Sequence, residues 1–308
     1  MREYLRRSIS SLNRNKLNGL LAEVDFRNTL SQIGFYDRVS VGGWIARSRS
    51  VGNFGENTIV LFPETMHPGI DYSASRALPD PTYGLHTICA TFHQIGIRSY
   101  FCAPVLNRND NIDSLDWKAI ELGLPTQQEY ESFPANVIGF SERSHSYNFL
   151  RYNIEAVTDI PESALAEEFT KENLRISFNN KFMAEISDVD GILWGRQFTY
   201  PLEIKEKTAA KDPQVGDFFG LDVGPFVKLA FYAAKGGNLN SLFIVREIDN
   251  PDDRNLIKWW YITFKELASY ASWVPMGGGI NMRGGGSTVI KIPKNRFVEL
   301  NADTLGDL

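Results

Sequence analysis

Between Ile186 and Glu247 the sequence sets out two adjacent strand-like runs, a helix and a further strand. No other feature of the chain constrains its fold as much. Ile186–Trp194 leads to a tight turn at Gly195-Arg196 and then to a second run, Phe198–Lys205. The apolar spacing predicts a helix over about 224–234 and a strand over Ser241–Glu247. Ahead of them, Pro161 suits the first turn of a helix that runs to about Leu174, with Asp159 as its cap. Trp259–Phe264 reads as another strand, Lys265–Trp273 as a helix and Thr288–Ile292 as a late strand. An antiparallel hairpin feeding a crossover helix implies an α/β or α+β fold, a mixed sheet covered by helices.

The first half is mixed α and β with long connections. Leu12, Leu17, Leu20, Leu21, Val24 and Leu30 recur at mostly helical spacing, and Gly34 is a stop signal. Strands are predicted at Val39–Ile45 and Thr58–Phe62. Four prolines and Gly69 make Pro63–Thr82 a loop. Tyr83–Gln94 reads as a helix ended near Gly96, and Ile97–Leu106 as a buried strand. Helical pieces are predicted around Leu115–Leu122 and Gln127–Phe133, and strands at Val137–Phe140 and Tyr147–Val157. The 308 residues suit about two units, divided here as 1–157 and 158–308.

Composition narrows the class. Apolar residues make up 43% and charged residues 22%, which excludes a wholly disordered chain. A formal charge of −5 argues against a whole-surface binder of polyanions, though it leaves room for a basic cleft. No apolar run reaches the ~18 residues of a membrane span. Met1–Arg7 leads into Ser and Asn rather than an apolar run, so no signal peptide is expected. Two cysteines, Cys89 and Cys102, do not make a disulfide framework, and a cytoplasmic setting is expected.

Chemistry concentrates in the hairpin. With a two-residue turn, Trp194 pairs with Gln197, so Asp188 faces Glu203 and Asp190 faces Pro201. Alternation puts Asp188 and Asp190 on one face, and Glu203 and Lys205 on the matching face of the partner strand. Cross-strand neighbours lie ~5 Å apart and diagonal ones ~7–8 Å. Two or three carboxylates and one ammonium therefore gather on a patch flanked by Val189, Ile192, Leu193, Leu202 and Ile204. Like charges facing each other on paired strands are destabilising, and a bound hard cation offsets that repulsion. The bland alternative is a solvated hairpin in which Glu203, Lys205 and Lys207 form cross-strand ion pairs.

At these residues the sequence resembles the PD-(D/E)xK nuclease superfamily, which includes most type II restriction endonucleases. The pattern reads Asp190, twelve intervening residues, Glu203, Ile204, Lys205. Val189 stands where the pattern has Pro, and Asp190-Gly191 fits it. The resemblance covers about 161–245. It implies a restriction-endonuclease-like core in 158–308, with Mg²⁺ held by Asp190, Glu203 and the Ile204 carbonyl. It also implies that Lys205 positions or activates the attacking water. Asp188 is the rival first ligand, and a longer turn or a bulge would decide between the two. Glu168 or Glu172, four apart on a helical face, is a candidate extra carboxylate. The implied activity is a Mg²⁺-dependent endodeoxyribonuclease of the type II site-specific kind. It would act as a homodimer on double-stranded DNA, beside a cognate DNA methyltransferase, with 1–157 reading the DNA. The rivals are a structure-specific repair or recombination nuclease and a non-catalytic DNA-binding module with a degenerate site.

Other features carry less. His86, Cys89, His93 and Cys102 match no familiar zinc spacing, and core packing explains the cysteines. Gly277–Gly279 and Gly284–Gly286 flank Arg283 in a loop that is not a phosphate-binding P-loop. Basic residues cluster at Arg2–Lys16, at Arg47 and Arg49, and at Lys291–Arg296. Lys207 and Lys211, just past the motif, are the best phosphate candidates. Trp259-Trp260-Tyr261 reads as core packing rather than a base-stacking platform.

Overall fold

The computed structural model describes residues 14–48, 57–108, 114–123, 129–133, 137, 139–144, 161–270, 272–276 and 287–308. The expected strand Tyr147–Val157, the Asp159 cap, Arg283 and the two glycine triplets lie outside them. In chain order the elements are α1 (Arg14–Gln32), β1 (Gly43–Ser48), β2 (Thr58–Pro63), α2 (Tyr83–Gln94), β3 (Arg98–Leu106), β4 (Leu115–Leu122) and β5 (Glu131–Ser132). Then follow α3 (Glu162–Lys181), β6 (Ala184–Val189), β7 (Gly191–Trp194), β8 (Thr199–Lys207), β9 (Ala210–Asp212), β10 (Gly216–Asp222) and α4 (Val223–Ala234). The last are β11 (Leu242–Ile248), β12 (Leu256–Thr263), α5 (Phe264–Tyr270), β13 (Ser272–Met276), β14 (Ser287–Pro293), β15 (Val298–Glu299) and α6 (Ala302–Gly306). Among the described residues no helix is long and apolar enough to cross a membrane.

The fold is mixed α and β, built on three sheets. The first has the order β5-β4-β3-β2-β1-β6, with β2 and β3 parallel across α2. The second has the order β15-β12-β11-β8-β7, with β8 and β11 parallel across α4. The third, β13-β14-β10-β9, is antiparallel. The first sheet takes β6 from beyond residue 158, while α1 packs on the second, where Ala22, Phe26 and Leu30 meet Leu202, Ile204, Leu242 and Ile244.

Local signals explain where several elements begin and end. Gly34 stops α1 with φ +83, a conformation that suits glycine, and the Phe35 N–H reaches back to the Leu30 carbonyl at 2.8 Å. Helix α2 has the expected bounds because the Thr82 hydroxyl accepts from the Leu85 N–H at 3.2 Å. Its Leu85, Ile88, Cys89 and Phe92 are buried against the first sheet.

Several expectations need correction. Leu115–Leu122 is a strand, not a helix. Trp117 and Ala119 bury toward Tyr100 and Phe178, while Ile120 and Leu122 bury toward α2. Burial on both faces removes the alternation that would have marked a strand. In the span 127–133, Glu131–Ser132 pairs with β4. Val137 and Phe140 are core residues without strand pairing. Pro161 is the N-cap of α3 rather than a first-turn residue, and α3 runs past Leu174 because Phe178 continues its buried face. The expected strand Ile186–Trp194 is two strands, parted at Asp190. Helix α5, expected over Lys265–Trp273, stops at Tyr270, and Ser272–Met276 is a strand.

Candidate active site at the seam of two sheets

Asp190 stands where the chain leaves one sheet for another. Up to Val189 it pairs with β1, and from Gly191 it pairs with β8. The ladder runs from Gly191 with Leu202 to Trp194 with Thr199. One step further, this register sets Asp190 opposite Glu203, so the expected pairing of Asp188 with Glu203 is corrected. The cause is the turn, which spans 195–198 instead of two residues. The Gly195 N–H donates to the Phe198 carbonyl at 2.8 Å. The Arg196 and Gln197 N–H groups donate to the Leu308 carbonyl at 2.8 and 3.4 Å. A Cβ on Gly195 would lie 2.5 Å from that oxygen, so only glycine fits this close approach.

Past the end of its pairing with β7, β8 has an edge with no strand partner on that side among the described residues. Asp190 Oδ2 takes up one of the exposed donors, the Ile204 N–H, at 2.7 Å. Lys205 Nζ lies 2.6 Å from Glu203 Oε1 and 3.7 Å from Asp190 Oδ2. Those distances cap the separation of the two carboxylate oxygens at about 6.3 Å, their sum. Asp188 lies at the mouth, its side chain 56% exposed against 3% for Asp190. The Ile204 side chain points the other way, into the core under α1.

A second ammonium, which the sequence reading missed, completes the group. Lys228 Nζ on α4 lies 2.5 Å from Glu203 Oε2 and 3.6 Å from Asp188 Oδ1. The signal was there to read: Lys228 is the one charged residue in the apolar helix Val223–Ala234. Its nitrogen is out of line for a hydrogen bond to Glu203 Oε2, so that buried oxygen is left without one.

The charges settle unevenly. Burial works to raise the Asp190 carboxyl, but Lys205, Lys228 and the Ile204 N–H outweigh it and hold it below the usual carboxylate range. Burial, and next to it the charge of Asp190, push the Glu203 carboxyl up. Burial opposes the charge on Lys205, yet Asp190 and Glu203 hold it above the ordinary lysine range. Lys205 is therefore a cation near neutral pH. It can donate to a water or a phosphate oxygen and cannot accept a proton.

A buried ionic network lies behind Asp190. Glu23 on α1 accepts from Lys171 Nζ on α3 at 3.0 Å, and Glu167 pairs with Arg27. Of the two carboxylates expected to join the site, Glu172 pairs with Arg175 and Glu168 is buried on α3. Outside the hairpin, Glu23 feels the charge of Asp190. Burial pushes Glu23 up to about 8, against Lys171, with Asp190 and Glu167 adding to the shift and Arg27 opposing it.

This has a consequence for stability. An unfolded chain loses the Glu23 proton near 4.5, and the folded chain holds it to about 8. Between those values the folded state binds more protons, so stability falls as pH rises and levels off above the upper one. Urea midpoints measured from pH 5 to pH 9 should fall, and the fall should be smaller in Glu23→Gln. An equal fall in that variant would contradict the assignment.

Where the sheets part, a cavity of about 480 Å³ opens beside the carboxylates. Ile45 and Arg47 of β1, Ser187 and Asp188 of β6, and Glu203 and Lys205 of β8 line one side. Pro225, Val227, Lys228, Phe231 and Tyr232 of α4 line the other. Lys207 shares the β8 face of Glu203 and Lys205, and burial holds its charge below the ordinary range. Lys211 is exposed on β9. Elsewhere, Cys89 and Cys102 are buried while His86 and His93 are exposed, so the four do not share a site. Trp259 and Tyr261 pack in the core under α1. Among the described residues no three His, Cys, Asp or Glu side chains are placed to hold a metal ion by themselves.

Compared with known proteins, the chain matches no family model, no curated protein and no solved structure.

Proposed function

We propose that this chain is a Mg²⁺-dependent deoxyribonuclease with a restriction-endonuclease-like core, hydrolysing phosphodiester bonds at Asp190, Glu203 and Lys205. One observation carries the reading: Asp190, between β6 and β7, and Glu203 on β8 meet at the ammonium of Lys205. The element order supports it. A hairpin β7–β8, the helix α4 and a strand β11 parallel to β8 follow one another as the resemblance implies.

The side chains fit a hard cation. Glu203 keeps a buried oxygen, Oε2, without a hydrogen bond beside the Lys228 ammonium, and its Oε1 and Asp190 Oδ2 both lie within reach of Lys205 Nζ. Mg²⁺ commonly takes one or two carboxylates and fills its shell with water and substrate phosphate, so three protein ligands are not needed. Asp190 and Glu203 would hold it, with the Ile204 carbonyl as the further ligand that the resemblance implies. When bound, such an ion polarises a phosphoryl oxygen and lowers the pKa of a water. Lys205 then orients the attacking water and stabilises the charge that develops on the phosphoryl group. Lys228 steadies Glu203 from the far side. The water oxygen bonds to phosphorus while its proton passes to solvent, and the bond to the leaving sugar oxygen breaks as that oxygen takes a proton from solvent to become a hydroxyl.

Two subtypes share this chemistry. One is the type II site-specific enzyme, a cytoplasmic homodimer acting on duplex DNA beside a cognate methyltransferase. The other is a structure-specific nuclease. The recess of the carboxylates, each 2% exposed, favours the second. The test of the shared chemistry is incubation of supercoiled plasmid and phage DNA with the chain in Mg²⁺ and in EDTA. Cutting is expected in Mg²⁺ alone. Intact DNA in Mg²⁺, or equal cutting in EDTA, would contradict it.

A further inference from the structure

The cavity beside Glu203 also bears on which form of DNA can reach it, an inference that rests on the deoxyribonuclease reading. At about 480 Å³ it has the size of a small-ligand pocket. That holds a nucleotide or so, so only one or two residues of a strand can enter it at a time. The scissile phosphate must nevertheless come to Glu203 and Lys205, which line its wall.

The two sides of the cavity differ in chemistry. On the α4 side Pro225, Val227 and Phe231 offer nothing to a phosphate or a sugar hydroxyl, but an apolar and aromatic wall covers the face of a base. Val227 and Phe231 are four apart on α4, so they share a helical face. Val227 is 57% exposed, which the packing of α4 does not require. The other side is charged, with Arg47 and Lys205 set among Asp188 and Glu203. Lys207 lies two residues beyond Lys205 on the same strand face, ~6.6 Å on, a step that suits successive phosphates of an extended strand. It makes no ion pair with the described residues. The first turn of α4 adds the Gly224 N–H, since Asp222 at the N-cap makes no side-chain cap, while Pro225 has no N–H to give.

We propose that this site takes an unpaired DNA strand. One phosphate sits at Glu203 and Lys205, the next lies toward Lys207, and a base rests on Val227 and Phe231.

The test is fluorescence anisotropy of the full chain with a labelled 12-nucleotide thymidine oligomer and with a blunt 12-base-pair duplex, in Ca²⁺. A duplex with a central unpaired bubble is cut in parallel, in Mg²⁺. The oligomer is expected to bind at least ~10-fold tighter than the duplex, and Phe231→Ala to weaken the oligomer alone by about 10-fold, the scale of one stacked base. Val227→Glu, at an exposed position, should act in the same direction without disturbing the core. Cuts are expected in or beside the bubble. Duplex binding as tight as oligomer binding, with cuts inside fully paired DNA, would overturn the unpaired-strand assignment and leave the deoxyribonuclease reading intact. Oligomer preference lost in both variants, with no cutting of any DNA in Mg²⁺, would uphold the strand assignment and overturn the hydrolytic reading.

Discussion

Glu203→Gln is expected to lower Mg²⁺-dependent DNA cleavage by about 10²–10³-fold or more, the scale of losing a preorganised charge at a reacting phosphate. The substitution keeps the shape of the side chain and removes its charge. Lys205 and Lys228 then lose the carboxylate they share, and a hard cation loses one of its two carboxylate ligands. Binding of DNA should hold or tighten, because the groove becomes more positive by one charge. Asp188→Asn is the matched control. Its side chain is mostly exposed at the mouth and lies near Lys228 rather than Lys205, so its loss should cost only a few-fold. Nicking of supercoiled plasmid by Asp188→Asn and Asp190→Asn, side by side with Glu203→Gln and the unaltered chain, separates the two aspartates that sequence left as rivals. Strong loss in Asp188→Asn with little loss in Asp190→Asn would reverse the assignment.

Lys171→Met should destabilise the folded chain by ~3–5 kcal/mol, as expected when one partner of a buried ion pair is removed and the other is left behind. Lys171 is more than a partner of Glu23. Burial opposes its charge, but Glu23, Glu167, Glu168 and Asp190 together hold its ammonium above the ordinary lysine range. Without it, Glu23 has only the more distant help of Arg27, and Asp190 loses one of its stabilising cations. Adding Glu23→Leu should recover a good part of the loss, since an apolar pair of similar volume can replace a buried ion pair. Urea unfolding at pH 9 makes the comparison, because the stranded carboxylates must then hold charge or bind a proton against the solvent. A loss under ~1 kcal/mol in the single variant, or no recovery in the double, would mean that the network bears little load.

The two predictions touch different layers of what was legible. Helix α2 could be read to its ends because Thr82, Gly96 and the spacing of Leu85, Ile88 and Phe92 agree with one another. The pattern Asp190, Glu203, Lys205 could be read as a cluster because strand alternation is a short-range rule. The register could not. It depends on a turn whose length is set by the carbonyl of Leu308, more than a hundred residues away in sequence. Two residues of difference in that turn move Glu203 from Asp188 to Asp190.

Strand β4 was misread for a related reason, since its neighbours bury it from both sides and leave no polar face to mark the period. The place of Glu23 lies further from reach. It depends on how α1 packs against α3, a tertiary contact with no local signature, and so the search for a helper carboxylate stopped at Glu168 and Glu172. Lys228 was within reach, as a lone charge in an apolar helix that had already been assigned to the sheet. A buried ammonium in such a setting needs a carboxylate partner, and Glu203 is the one it finds.

Asp190 and Glu203 acting together on one divalent ion is the point on which the proposed chemistry turns. Crystals of the chain with bound DNA, soaked in Mn²⁺ as an anomalous scatterer in place of Mg²⁺, test it directly. An anomalous peak is expected between the two carboxylates, about 2.1 Å from an oxygen of each, and absent in Glu203→Gln. A map with no peak there while the DNA phosphate lies against Lys205, or a peak bound by other side chains, would contradict it.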